Sequence, residues 1–246
     1  MDKLLYIAMS GAKQTMLAQT VNANNLANVN TTGFRADLAA FESLPVNGPG
    51  YASRAYAQSE GLGANFATGS LLTTGRDLDV AVRGDGYIAV LAPDGTEAYT
   101  RAGDLRVDSG GQLVNGAGHR VLGNGGPLAI PPHEKLEVGT DGTISIRPVG
   151  QQASALATLD RIKLVNAPPG SLQKGADGLL RPVDGGQLQP NASVQLVSGA
   201  LESSNVNAVE AMVNMISLSR HFEMQVKTMK SAEENDRRGD ELLRLT

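Results

Sequence analysis

The chain carries a long helical stripe of apolar side chains at each end, and neither stripe can be buried within its own segment. Residues 3 to about 28 place Leu5, Met9, Ala12, Met16, Gln19, Ala23 and Leu26 at alternating spacings of four and three, a heptad seam interrupted by polar Gln19. Near the other end Met212, Met215, Ser219, Phe222, Val226 and Met229 repeat the pattern, in a helix that starts near Asn207 and runs to about Leu245. Asn207 and Glu210 have the spacing of a capping box at its start. The first helix would be about 39 Å long, and an isolated helix gains little stability from propensity alone. An ordinary core-facing helix would show the same stripe. Either way both ends must be covered, by each other or by further copies, which points to assembly rather than catalysis.

Between the helices the chain reads as β-structure. Its 29 glycines and 11 prolines imply many turns and hence many short strands. Strands are expected at Leu78–Val82, Tyr87–Leu91, Thr96–Thr100, Gln112–Asn115, Lys135–Val138, Thr143–Ile146, Arg161–Val165 and Val194–Ser198, with turn residues at regular intervals between them. The first two flank Arg83-Gly84-Asp85-Gly86 and read as a hairpin. From Thr31 to about Arg76 no period is sustained, and this reads as an extended linker with a short helix at Arg35–Leu44. The fold class expected is α+β. Residues 1–30 and 203–246 form a coiled-coil pair, 31–76 link, and 77–202 form an antiparallel sandwich or barrel-like domain.

Composition removes several classes of function. Aromatics make up 4% of the chain with no Trp, so the core must be built from Val, Leu, Ile and Ala. A formal charge of -4 gives no broad attraction to nucleic acid or an anionic membrane. No segment approaches the roughly 18 apolar residues of a membrane span. With no Cys there is no disulfide, thiol nucleophile or thiolate metal site. The first 20 residues lack the long apolar stretch and small-residue cleavage site of a signal peptide, and read as a mature helix.

Gly84-Asp85-Gly86-Tyr87-Ile88-Ala89 matches a dinucleotide-binding fingerprint, but an apolar strand follows it where a helix N-terminus would be needed. His119, His133 and His221 have no metal-ligand spacing and read as surface or packing residues. Asp77 and Asp79 would share one strand face, where nearby Arg76 and Arg83 make a salt-bridged edge the simpler account. No catalytic, cofactor or metal residue is expected.

Four segments together resemble the bacterial flagellar axial family of rod and hook proteins. The run Asn24-Asn25-Leu26-Ala27-Asn28, continuing to Gly33-Phe34-Arg35, is similar to the family's N-terminal signature, with Arg35 and Ala36 where relatives often carry Lys and another polar residue. Leu78-Asp79-Val80, with Gly84 and Gly86, resembles the central hairpin, and Tyr99-Thr100-Arg101 with Gly103 the strand block after it. Glu202, Ser204, Asn205, Val206 and Asn207 resemble the C-terminal signature. Length and the single modest β domain most resemble proximal-rod members, the distal-rod and hook subunits being the alternative.

The resemblance implies a helical tube with paired terminal helices inside and the β domain further out. Its partners would be copies of the chain, neighbouring proximal and distal rod subunits, and the flagellar type III export apparatus. It implies a periplasmic rod reached without a cleaved signal peptide, and no nucleic acid, membrane insertion, cofactor or small-molecule substrate. The rival from another class is a peptidoglycan-binding β domain on a helical stalk. Two residue-level expectations follow. Gln19 and Ser219 set the helix register, and Gly33 takes a positive φ to turn the chain outward, so that its replacement should spare the β domain.

Overall fold

The computed structural model describes residues 2–45, 55–148, 150, 157–168 and 170–244. The chain divides into two compact units. Residues 1–28, 37–65 and 206–246 make the helical unit, and 29–36 with 66–205 make the β unit. Helices and antiparallel sheets occupy separate stretches of the sequence, so the fold is α+β.

In the helical unit α1 (Asp2–Ala27) and α2 (Ala208–Arg244) lie side by side, with a two-stranded sheet of β1 (Asp37–Pro45) and β2 (Ala55–Ala64). Both helices start and stop within a residue or two of the expected positions. Asn207 caps α2 as expected, its Oδ1 accepting from the Val209 N–H at 3.0 Å and the Glu210 N–H at 3.3 Å. Asn22 Nδ2 donates to Ala211 O at 2.7 Å while Gly11 lies against Gln225, so the helices run antiparallel.

Residues 37–45 are a strand and not the short helix their sequence suggests, and the stretch expected as a linker holds the β1–β2 pair. The cause is tertiary. Asn25, at the end of α1, accepts from the Asp37 N–H and donates to Asp37 O, both at 2.8 Å, which holds the backbone extended where β1 begins. Asn25→Ala removes both hydrogen bonds, at a cost of about 1–3 kcal/mol. Faster hydrogen exchange at the Asp37 amide is the expected readout, and unchanged exchange would count against this anchor.

The β unit holds sixteen strands among its described residues. These are β3 (Leu71–Thr73), β4 (Val80–Arg83), β5 (Tyr87–Leu91), β6 (Glu97–Thr100), β7 (Arg106–Val107), β8 (Leu113–Val114), β9 (Arg120–Gly123), β10 (Gly126–Pro127), β11 (His133–Val138), β12 (Thr143–Pro148), β13 (Ala157–Arg161), β14 (Leu164–Val165), β15 (Leu172–Lys174), β16 (Leu180–Pro182), β17 (Gln195–Ser198) and β18 (Ala200–Glu202). Nine form one sheet, running β15-β16-β6-β5-β9-β8-β7 with β10 on β9 and β14 on β5. β11-β12-β13 make a second sheet, and β17–β4 and β18–β3 are two-stranded ribbons. All pairings are antiparallel, and the described strands close no barrel.

Strand alternation explains the core. Ile88 and Val90 of β5 enter one cluster with Leu105, Leu113, Val121, Ile144, Ile162 and Leu196, while Tyr87 and Ala89 enter another with Tyr99, Leu122, Val165 and Leu180. A strand buried on both faces reads as a continuous apolar run, as β5 does. Burial pushes the Tyr99 phenol up to about 12, and its OH donates to Glu97 Oε1 at 2.9 Å while accepting from the Leu188 N–H at 2.7 Å.

β4 and β5 are not the expected hairpin. β4 pairs with β17 and β5 with β6, β9 and β14, so the Gly84-Asp85-Gly86 loop carries the chain from one sheet to another. Gly86 makes this possible, with φ at +140° and a position against Val194 that leaves no room for a Cβ.

Candidate assembly surface

The signature segments of the β unit converge on one buried carboxylate. Glu202 of β18 is 1% exposed. Its Oε2 accepts from Arg101 Nη1 at 2.9 Å, and its Oε1 accepts from the Gly69 N–H at 2.9 Å. Arg35 Nη2 stands 2.7 Å from the same Oε1 as an ion pair lying off the line of a hydrogen bond. Arg101 also donates through Nη2 to Gly84 O at 2.6 Å and stacks on the Tyr87 ring at 5.3 Å. Burial alone would push the Glu202 carboxyl up, but the Arg101 and Arg35 guanidiniums outweigh it and hold the group below its ordinary value.

Backbone contacts complete this knot. The Gly33 N–H donates to Glu202 O at 2.8 Å, and Gly33 has φ at +65°, the positive value expected. Asn205 Oδ1 accepts from the Ala36 N–H at 2.8 Å and its Nδ2 donates to Ala67 O at 2.9 Å. Lys174, which sequence reasoning passed over, donates to Arg35 O at 2.7 Å and sits 3.9 Å above the Phe34 ring. Gly103 packs so closely that a Cβ would lie 1.8 Å from Val80 O. Tyr99, Thr100, Asp79, Val80 and Ser204 are buried nearby in sequence to these groups. Arg35, Arg101 and Glu202 each lie in a signature segment, which was the sequence signal for such a site.

The helical unit arranges its stripes differently from the expected seam. The α1 residues buried against the unit are Ala8, Ala12, Thr15, Ala18 and Asn25, mostly small or polar. On α2, Ala211 and Ala232 are buried and Met215, Gln225, Val226 and Met229 are half-buried. Among the expected seam positions Ala12 is buried, Gln19, Leu26, Met215, Val226 and Met229 are half-buried, and Leu5, Met9, Met16, Ala23, Met212, Ser219 and Phe222 are exposed. Ser219 therefore does not face α1 with Gln19; the Asn22–Ala211 and Gly11–Gln225 contacts mark the register.

The large apolar side chains point to solvent. Met9 is 53% and Met16 61% exposed on α1; on α2 the values are 54% for Met212, 60% for Val213 and 57% for Ile216. Val209, Val213, Ile216, Arg220 and Met224 recur at helical spacing, and a shallow groove of about 320 Å³ runs along this face past Ser217 and His221. Apolar faces of this extent are rare on a monomer and mark interaction sites.

Among the described residues no three His, Cys, Asp or Glu side chains cluster as a metal site. No helix of the described residues is long and apolar enough to cross a membrane. A groove of about 440 Å³ in the β unit is lined by Phe66, Asp85, Tyr87, Arg101, Asn166 and Asn191 among others. Its Tyr87 ring is buried beneath Arg101 and Phe66 packs against the core.

Three family descriptions match successive parts of the chain. "Flagella basal body rod protein" matches residues 5–35, "Flagellar hook protein FlgE/F/G D1 domain" residues 81–146, and "Flagellar basal body rod FlgEFG protein C-terminal" residues 197–242. The flagellar basal-body rod proteins FlgF of Escherichia coli and of Salmonella typhimurium are each 42% identical over 252 aligned residues, covering all of both chains. The rod protein FlgG of Bacillus subtilis is 32% identical over 261, covering 95% of this chain and 96% of its own. The chain belongs to the flagellar basal-body rod and hook protein family.

Proposed function

We propose that this chain is a non-catalytic structural subunit of the flagellar basal-body rod, in its proximal part, and that it assembles helically through its terminal helices. The observation that carries the reading is the exposed apolar face on both helices, which a second copy or an adjoining rod subunit would cover. The 42% full-length identity to two FlgF proteins, against 32% to the FlgG of Bacillus subtilis, supports the proximal position. Heterologous contacts whose rotation does not close generate a helical array, as a drive shaft with an export channel requires.

In this reading the α1–α2 pair forms a coiled coil that tightens on assembly, and the β unit acts as a separate sandwich-like domain. The expected seam residues Leu5, Met9, Met16, Met212 and Phe222 then contact neighbouring subunits. Export through the flagellar type III apparatus to the periplasmic rod fits a chain that has no Cys to cross-link in transit. The peptidoglycan-binding alternative is less well supported, because the rings lining the β-unit groove are committed to packing and offer no stacking platform.

A charge on the exposed face tests the reading. Ile216→Asp sits at a solvent position, so it should leave the thermal unfolding of the free chain within about 0.5 kcal/mol of wild type. Burying that carboxylate between subunits would carry a heavy desolvation cost. Basal bodies isolated from cells with Ile216→Asp should lack the subunit, and normal incorporation would sink the proposal.

A further inference from the structure

The chain has no Cys and no Trp, so its oxidisable side chains are chiefly the seven methionines. Four of them lie on the exposed helix faces: Met9 at 53%, Met16 at 61%, Met212 at 54% and Met224 at 52% exposure. Met215 and Met229 are half-buried on α2. Thioethers suit an adaptable docking surface, yet in the free chain these four stand open to any oxidant in the surrounding solution.

We propose that Met9, Met16, Met212 and Met224 are oxidant-modification sites that act as a redox lock on subunit incorporation, an inference that rests on the helix faces being the assembly surface. A peroxide or hypohalite delivers one oxygen to the thioether. With hydrogen peroxide the sulfur gives up two electrons, the O–O bond breaks, an S–O bond forms and water leaves. The product is a polar sulfoxide whose oxygen must be desolvated if the face is to be covered. The lock acts on free subunits alone, because covering the faces shields the sulfurs. A methionine sulfoxide reductase can release it while the chain is unassembled.

The first test is a peroxide time course on the purified full-length chain, read by peptide mass spectrometry as a gain of about 16 Da per site. The four exposed methionines should react at least about fivefold faster than Met215 and Met229; equal rates overturn the assignment of sites. The second test compares two quadruple variants at Met9, Met16, Met212 and Met224. Substitution by Leu keeps the faces apolar, and substitution by Gln stands in for the sulfoxide. The Leu variant should enter basal bodies normally and make entry insensitive to a peroxide pulse. The Gln variant should enter about tenfold less while keeping wild-type circular dichroism. Normal entry of the Gln variant, or loss of entry with both, overturns the lock. Normal entry of Ile216→Asp would sink the assembly reading instead, and the order of oxidation in the free chain would stand apart from it.

Discussion

Replacing Glu202 by Leu should lower the melting temperature of the β unit by roughly 6–20 °C. Breaking a buried ion pair from one side costs about 3–5 kcal/mol, and one kcal/mol moves a domain of this size by about 2–4 °C. Removal of the carboxylate leaves two guanidiniums, each 3% exposed, facing one another without a counter-charge. It also strands the Gly69 N–H. Calorimetry of the variant, with hydrogen exchange across β4, β5 and β6, would measure the loss, and an unchanged melting temperature would remove the triad from the account of stability.

The same carboxylate sets an acid limit. Its folded-state value is held below the ordinary 4.5, so its contribution is complete above that pH and lost as the pH falls through the depressed value. Glu202→Gln, which cannot titrate, should therefore show a shallower loss of stability below pH 4.5 than wild type. Equal acid slopes in the two proteins would assign that loss to other carboxylates.

Gly33→Val should destabilise the β unit by about 3–5 kcal/mol, through backbone strain and collision together. At φ +65° a side chain adds about 1–2 kcal/mol of local strain. The Cβ would also lie 2.3 Å from the Arg101 carbonyl carbon and 2.4 Å from Ala102 N, which are backbone atoms that cannot swing aside. This outcome differs from the sequence-based expectation that replacement would spare the β domain. Gly33 belongs to the β unit and donates to Glu202 within it, besides turning the chain. Gly75→Val is the control: φ is +74° there too, but nothing lies within 4 Å of the added carbon. The Gly75 variant should show only the strain, and equal melting of the two would refute the collision.

Local signals located both helices and several strands of the β unit. The 3.6-residue period and the Asn207 cap found both helices, and the apolar run Tyr87–Leu91 coincides with β5. The strand at 37–45 was missed because Asp-Leu-Ala-Ala-Phe-Glu has helical propensity, which its pairing with 55–64 overrides. The β4–β5 hairpin failed for a related reason. A Gly-Asp-Gly loop says that the chain turns, but not which strand the next segment joins. The helix seam was offset because sequence reasoning assigns the largest apolar side chains to the contact. In the folded chain Gly11 and its small neighbours let α1 approach α2 closely, and the larger side chains remain outside.

By itself the sequence determined the two terminal helices, the α+β class and the need to cover two apolar helix faces, because periodicity and turn chemistry act between residues close along the chain. The family was legible too, since its signatures survive as contiguous strings. Only the tertiary structure decided which helix stripe faces inward, which sheet each strand joins, and that Arg35, Arg101 and Glu202 meet. Those outcomes depend on contacts between residues as far apart as 35 and 202, where burial, close backbone approach and charge compensation are settled together and no local pattern carries the information.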